Sequence, residues 1–111
     1  MSESIRTEVW REAVATYASR ARAALGPCLT RLLLYGSRAR GDARAESDVD
    51  LLAVVTGDGD GARRTLWRLA VDLELADPDI FITVVVMTAA EWEAERDYAF
   101  TRAVRRDGVP V

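Results

Sequence analysis

The run Asp48-Val49-Asp50-Leu51-Leu52-Ala53-Val54-Val55 constrains the fold more than any other segment. Side chains alternate between the two faces of a strand. Val49, Leu51, Ala53 and Val55 therefore share one face, and Asp48, Asp50, Leu52 and Val54 share the other. Beyond its first residues the run is apolar on both faces, so the strand is expected to be central in a sheet that is covered on both sides. Its opening is the exception, because two carboxylates on one face stand where burial would penalise them unless something cationic neutralises them.

The flanking segments supply the covering layers. Ile5, Val9, Ala13, Tyr17, Ala21 and Leu25 recur every four residues, widened by Trp10 and Val14, and predict a helix over 4–25 that Gly26-Pro27 ends. Thr30 to Tyr35 reads as a short buried strand, and Gly36 to Ser47 as a polar connection. Leu66, Leu69, Ala70 and Leu73 predict a helix from Ala62 to Ala76, stopped by Asp77-Pro78. Asp79 to Met87 is rich in Val and Ile and reads as a third strand. Thr88-Ala89-Ala90-Glu91 fits a capping box, opening a helix bent or broken near Asp97 and ending about Arg106. Val109 to Val111 could add a short edge strand. The expected order is α-β-β-α-β-α, an α/β (α+β) fold of one domain over residues 1–111, with helices packed on a small mixed sheet. The unit from Asp48 to Met87 should be a crossover joining parallel strands, which puts the openings of the second and third strands at one end of the sheet.

Composition narrows the chemistry. The 111 residues contain no His, Lys, Asn or Gln, and all 15 basic residues are Arg. Ser-His-Asp and Cys-His nucleophilic sites, His-ligated zinc, the lysine phosphate loop and Schiff bases are thereby excluded. A single Cys, Cys28, allows no intrachain disulfide and reads as a small buried apolar residue. Carboxylates, hydroxyls, guanidiniums and backbone N–H groups remain, which suit hard metals and phosphates. A net charge of −3 gives no support for bulk nucleic-acid or membrane binding. The start has neither a basic nor an apolar leader segment, so a cytoplasmic location is the expectation.

Asp48 and Asp50 at i and i+2 have Cα atoms roughly 6.5–7 Å apart on one face. From there they can share a Mg²⁺ at about 2.1 Å or hold two ions side by side. Ten residues upstream stands Gly36-Ser37, at the end of the preceding strand. Gly permits close backbone approach to an anion, and Ser adds a hydroxyl donor. If the two strands pair antiparallel, a phosphate site and a metal site become neighbours.

Gly36-Ser37, ten residues and Asp48-Val49-Asp50-Leu51-Leu52 resemble the hallmark of the DNA polymerase β-like nucleotidyltransferase superfamily. The fuller string from Tyr35 to Leu52, with Arg38, Arg40-Gly41 and Ser47, looks like the minimal nucleotidyltransferases, single-domain proteins often encoded beside a HEPN-domain toxin. The resemblance implies that Gly36 and Ser37 hold the triphosphate of an NTP, ATP being the expected one. It implies that Asp48 and Asp50 ligate Mg²⁺, with two ions in use. A third carboxylate on a later strand completes the family's site, and Asp79 is the same-face candidate here. Arg38 and Arg40 are candidate phosphate ligands, whereas Arg44 is expected to pair with Asp42 and Glu46 in solvent.

Two functions follow as expectations. One is Mg-dependent transfer of a nucleoside monophosphate, AMP from ATP, to a hydroxyl of a protein acceptor, serving as antitoxin to a HEPN ribonuclease. The other is a weakly active or inactive antitoxin that works by binding its partner. The position of Asp79 discriminates between them. The Asp58/Asp60 segment resembles part of a calcium loop but lacks the required Glu and reads as a turn. Trp10, Trp67 and Trp92 lie on helical stripes and are expected in the core or an interface.

Overall fold

The computed structural model describes residues 3–44 and 48–111, with side chains from Val9 onward. Ala45, Glu46 and Ser47, and with them the expected Arg44–Glu46 pairing, lie outside the described residues, as does the side chain of Ile5.

The elements are α1 (Glu3–Leu25), β1 (Leu29–Tyr35), α2 (Ser37–Arg40), β2 (Val49–Val55), α3 (Gly59–Ala76), β3 (Ile82–Thr88), α4 (Ala89–Ala94), α5 (Ala99–Asp107) and β4 (Val109–Pro110), with one 3₁₀ turn at Gly26–Cys28. The sheet order is β3-β2-β1-β4. β1 pairs antiparallel with β2 and with β4, and β2 pairs parallel with β3. This is the expected mixed sheet, and β2 is a central strand.

Two cores flank it. Val49, Leu51, Ala53 and Val55 of β2 pack with Leu32 and Leu34 against Trp10, Val14, Tyr17 and Ala21 of α1 and Leu66 and Ala70 of α3. Leu52 and Val54 pack with Leu33 and Met87 against Trp92 of α4 and Val104 of α5. The alternation of β2 thus divides the apolar side chains between two helical layers. Tyr17 ties α1 to α3, its hydroxyl donating to the Leu66 carbonyl at 2.9 Å.

Local chemistry moves several boundaries. α3 begins at Gly59 rather than Ala62, because Asp58 caps it by accepting from the Gly61 N–H at 3.0 Å. The capping box at Thr88 and Glu91 is formed, and the last helix is broken between Ala94 and Ala99. β3 begins at Ile82, not at Asp79. The Ile80 N–H is taken by the Asp77 carbonyl, and the Ile82 N–H donates to Glu74 of α3, so the chain is still turning through 77–80. Cys28 is exposed, not buried, because the 3₁₀ turn after Leu25 lies outside both cores. Trp10 and Trp92 are core residues, whereas Trp67 is 69% exposed.

Candidate active site

Antiparallel pairing of β1 with β2 puts Tyr35 opposite Asp50. The next residue is Gly36, with φ +75° and ψ −155°, a conformation essentially reserved for glycine. A Cβ added at Gly36 would lie 2.5 Å from Asp50 Oδ2. The turn backbone therefore passes against the carboxylate, which is possible only without a side chain. The Gly36 carbonyl accepts from the Ala39 and Arg40 N–H groups at 3.1 and 3.0 Å, opening α2, and Gly41 closes that helix in the left-handed region. Ser37 is the first residue of α2 and half-buried. The structure thus brings Gly36, Ser37 and Asp50 to one end of the β1–β2 pair.

Asp48 precedes β2 and is exposed, Asp50 is half-buried, and Val49 between them is buried on the opposite face. Burial raises the Asp50 pKa above its ordinary value, and the negative charge of Asp48 raises it further, while Arg40 pulls it down. Burial also raises the pKa of Tyr35, assisted by the charge of Asp50. The site is acidic and only partly compensated by Arg40, and an all-oxygen donor set of this kind fits a hard divalent cation.

The arginines separate. Arg40 forms an ion pair with Asp42 at 3.3 Å, and its charge reaches both Asp50 and Asp107. Arg38 lays its guanidinium over the Trp10 ring, 5.1 Å from the centroid, and so packs toward α1.

Asp79 is not brought to the pair. It is an exposed turn residue whose N–H donates to Asp77 Oδ1 at 3.1 Å. Among the described residues no group of three His, Cys, Asp or Glu is gathered closely enough to hold a metal ion. The expectation that Asp79 opens the third strand beside Asp48 and Asp50 fails because the strand starts three residues later. The residue in register with Asp50 on β3 is Thr83, which is exposed.

Thr83, Tyr35 and the helix α2 are the features that sequence reasoning missed. The Tyr35 ring meets Phe100 of α5 edge to face, with centroids 5.4 Å apart. Short polar helices such as α2 carry no apolar periodicity. The signal for α2 was the pair of glycines, Gly36 and Gly41, that bracket it.

The profile of the nucleotidyltransferase domain family matches residues 18–105, which include both Gly36-Ser37 and Asp48-Val49-Asp50. None of the curated proteins matches the chain. Among solved structures, a protein from Sulfolobus solfataricus assigned to the nucleotidyltransferases is similar over 99% of this chain and 86% of its own, with TM-score 0.59 and 22% identity. A toxin–antitoxin complex with AMP-PNP is similar over 86% of this chain and 69% of the other, with TM-score 0.55 and 22% identity. A mutant of the MntA-HpeT toxin–antitoxin covers the same shares at TM-score 0.53 and 19% identity. These likenesses are of fold.

Proposed function

Because the chain belongs to the nucleotidyltransferase domain family, we propose that it transfers AMP from ATP to a hydroxyl of a protein acceptor in a Mg²⁺-dependent reaction, as antitoxin to a HEPN-type toxin. The observation that carries this reading is the close approach of the Gly36 turn to the Asp50 carboxylate. The antitoxin role is supported by the similarity to two toxin–antitoxin structures, one of them with AMP-PNP.

Asp48 and Asp50 would hold the cation, whose charge would offset the burial and the Asp48 repulsion that raise the Asp50 pKa. Bound there, Mg²⁺ would offset charge on the triphosphate and polarise the phosphorus under attack. Without a side chain at Gly36 the turn can lie against Asp50, which brings the Ser37 hydroxyl, a potential donor to a phosphate oxygen, to the same strand end. Arg40, already coupled to Asp50, adds positive charge at the same end. In the transfer, the acceptor oxygen bonds to the α-phosphorus as the bond to the bridging oxygen of the β-phosphate breaks. Pyrophosphate leaves with that electron pair, and the hydroxyl proton passes to solvent or a carboxylate.

One observation favours the alternative of an antitoxin that binds its partner with little or no catalysis. The position beside Asp50 on β3 is occupied by Thr83, and Asp79 is turned to solvent.

Incubation with labelled ATP, Mg²⁺ and the product of the neighbouring gene separates the two. Label on protein, lost in Asp50→Asn, is the expected result. A stable complex without label, together with ATP binding, would favour the alternative. Absence of any Mg²⁺- and ATP-dependent rise in melting temperature, expected to reflect about 2.7 kcal/mol of added stability at a hundredfold excess over Kd, would remove the transfer reading, and absence of a stable complex as well would remove both.

A further inference from the structure

β3 is the outermost strand on one side of the sheet. Within a strand the N–H and C=O of one residue point the same way, and successive residues alternate. The Phe81 carbonyl accepts from the Val49 N–H at 2.8 Å, so Phe81, Thr83 and Val85 address β2. Ile82, Val84 and Val86 consequently direct their backbone groups outward. Two of those groups are bridged by side chains of α3. The Ile82 N–H donates to Glu74 Oε1 at 3.0 Å, and Arg63 Nη2 donates to the Val86 carbonyl at 3.3 Å. Val84 lies between the two bridges, its N–H and carbonyl facing outward.

A groove of about 550 Å³ runs along this edge, with Arg63, Arg64 and Trp67 of α3 on one side and β3 on the other. Trp67 is 69% exposed at mid-helix. After Asp60 at its first turn, α3 carries Arg63, Arg64 and Arg68 around Trp67, and its acidic residues Asp72 and Glu74 follow toward the C-terminal end. α3 runs against β3, since Arg63 is level with Val86 and Glu74 with Ile82.

We propose that this edge pairs with a second copy of the chain, β3 against β3 in antiparallel register, about a two-fold axis at Val84. Such a pair exchanges both backbone bonds at Val84 and sets Ile82 of each copy opposite Val86 of the other. The Ile82 N–H then meets the Val86 carbonyl, the two groups that Glu74 and Arg63 now bridge. The same rotation brings Arg63 of one copy opposite Glu74 of the other, so the released side chains meet as ion pairs across the new strand pair. The two Trp67 rings face one another near the axis, where a large aromatic contributes most. Arg63 already holds Asp60 at 3.0 Å and lies 3.7 Å from Glu91; an acidic segment docked on the groove would meet Arg63 and Arg64 but oppose Glu74, and a basic one the reverse. A strand flanked by both signs in antiparallel order matches, and a second copy of this chain supplies it.

Sedimentation velocity of the whole chain across a concentration series tests the proposal. A reversible monomer–dimer equilibrium is expected, with the Val84 amide protected from hydrogen exchange only in the dimer. Arg63→Glu and Glu74→Arg should each weaken dimerisation about tenfold or more, and the double charge swap should recover most of the loss. Val84→Pro removes the central N–H at an edge position that tolerates proline and should give monomer. Trp67→Glu, at an exposed helix position, is expected to do the same should the proline variant not fold. A chain that stays monomeric at every concentration overturns the proposal. So does a dimer indifferent to these variants, or a double swap no better than either single change.

Discussion

The backbone of Gly36 lies so close to the Asp50 carboxylate that a Cβ on the glycine would stand 2.5 Å from Oδ2. The two residues are fourteen apart in sequence and meet because Tyr35 and Asp50 are cross-strand partners. The Gly36-Ser37 turn and the carboxylate are therefore one unit, and a change to either should be felt at the other.

Gly36→Ala combines a backbone conformation that costs a side chain about 1–3 kcal/mol with displacement of Asp50. Gly41→Ala is the control, since Gly41 also has positive φ but has nothing within 4 Å of its added Cβ. Urea melts should show Gly36→Ala as the more destabilised variant. Isothermal titration should show loss of Mg²⁺-ATP binding in Gly36→Ala and retention in Gly41→Ala. Equal behaviour of the two would contradict the Gly36–Asp50 contact.

Ser37→Ala removes one hydroxyl donor and leaves the turn in place. A loss of roughly 1.5–3 kcal/mol is typical for a hydrogen bond to a charged group, and nucleotide affinity should fall accordingly. The apo melting temperature should stay near that of the parent.

Asp50 makes stability depend on pH in a defined direction. Its pKa in the folded chain is raised above 3.8 by burial and by Asp48. The folded state thus holds a proton that the unfolded chain has already released. The corresponding stability is present below the ordinary carboxylate pKa and is lost as pH rises through the folded value. Asp50→Asn should flatten that decline and stabilise the metal-free protein at neutral pH, while abolishing stabilisation by Mg²⁺ and ATP. Thermal melts from pH 3.5 upward, with and without Mg²⁺-ATP, measure both effects. A parent whose stability rises over this window while that of Asp50→Asn does not would reverse the sign.

Thr83 and Asp79 make opposite predictions for the third carboxylate. Thr83 is in register with Asp50 across the parallel β2–β3 pair, and neighbouring strands are about 4.8 Å apart. Thr83→Asp should add a like charge beside Asp50, lower the metal-free melting temperature, tighten Mn²⁺ binding and raise transfer activity. Asp79→Asn, in an exposed turn, should leave the Mn²⁺ response unchanged. Calorimetric Mn²⁺ titration of the two variants decides, and loss of binding in Asp79→Asn would restore Asp79 to the site.

Tyr17→Phe deletes the buried bond between α1 and the Leu66 carbonyl of α3. A loss of about 1 kcal/mol is expected, read as a lower urea midpoint with unchanged Mg²⁺-ATP binding, because this contact belongs to the core on the face of the sheet opposite Asp50.

The periodic elements were legible in the sequence because one-face burial imposes a period that local residues display. The stripe of α1, the double-faced β2, the capping box at Thr88 and the break before α5 could all be read without coordinates. The meeting of the Gly36-Ser37 turn with Asp50 was legible for a related reason: antiparallel pairing of two strands joined by a short connection puts the end of one beside the start of the other. The start of β3 was not legible, because Glu74, eight residues upstream on another element, takes the Ile82 N–H while Asp77 holds the turn before it. Strand register across a crossover is a tertiary quantity, set by how α3 packs, and a shift of three residues moved Asp79 out to solvent and put Thr83 beside Asp50. The exposure of Cys28 and Trp67 was likewise settled by which faces the neighbouring elements happened to cover, a relation between segments that no residue carries alone.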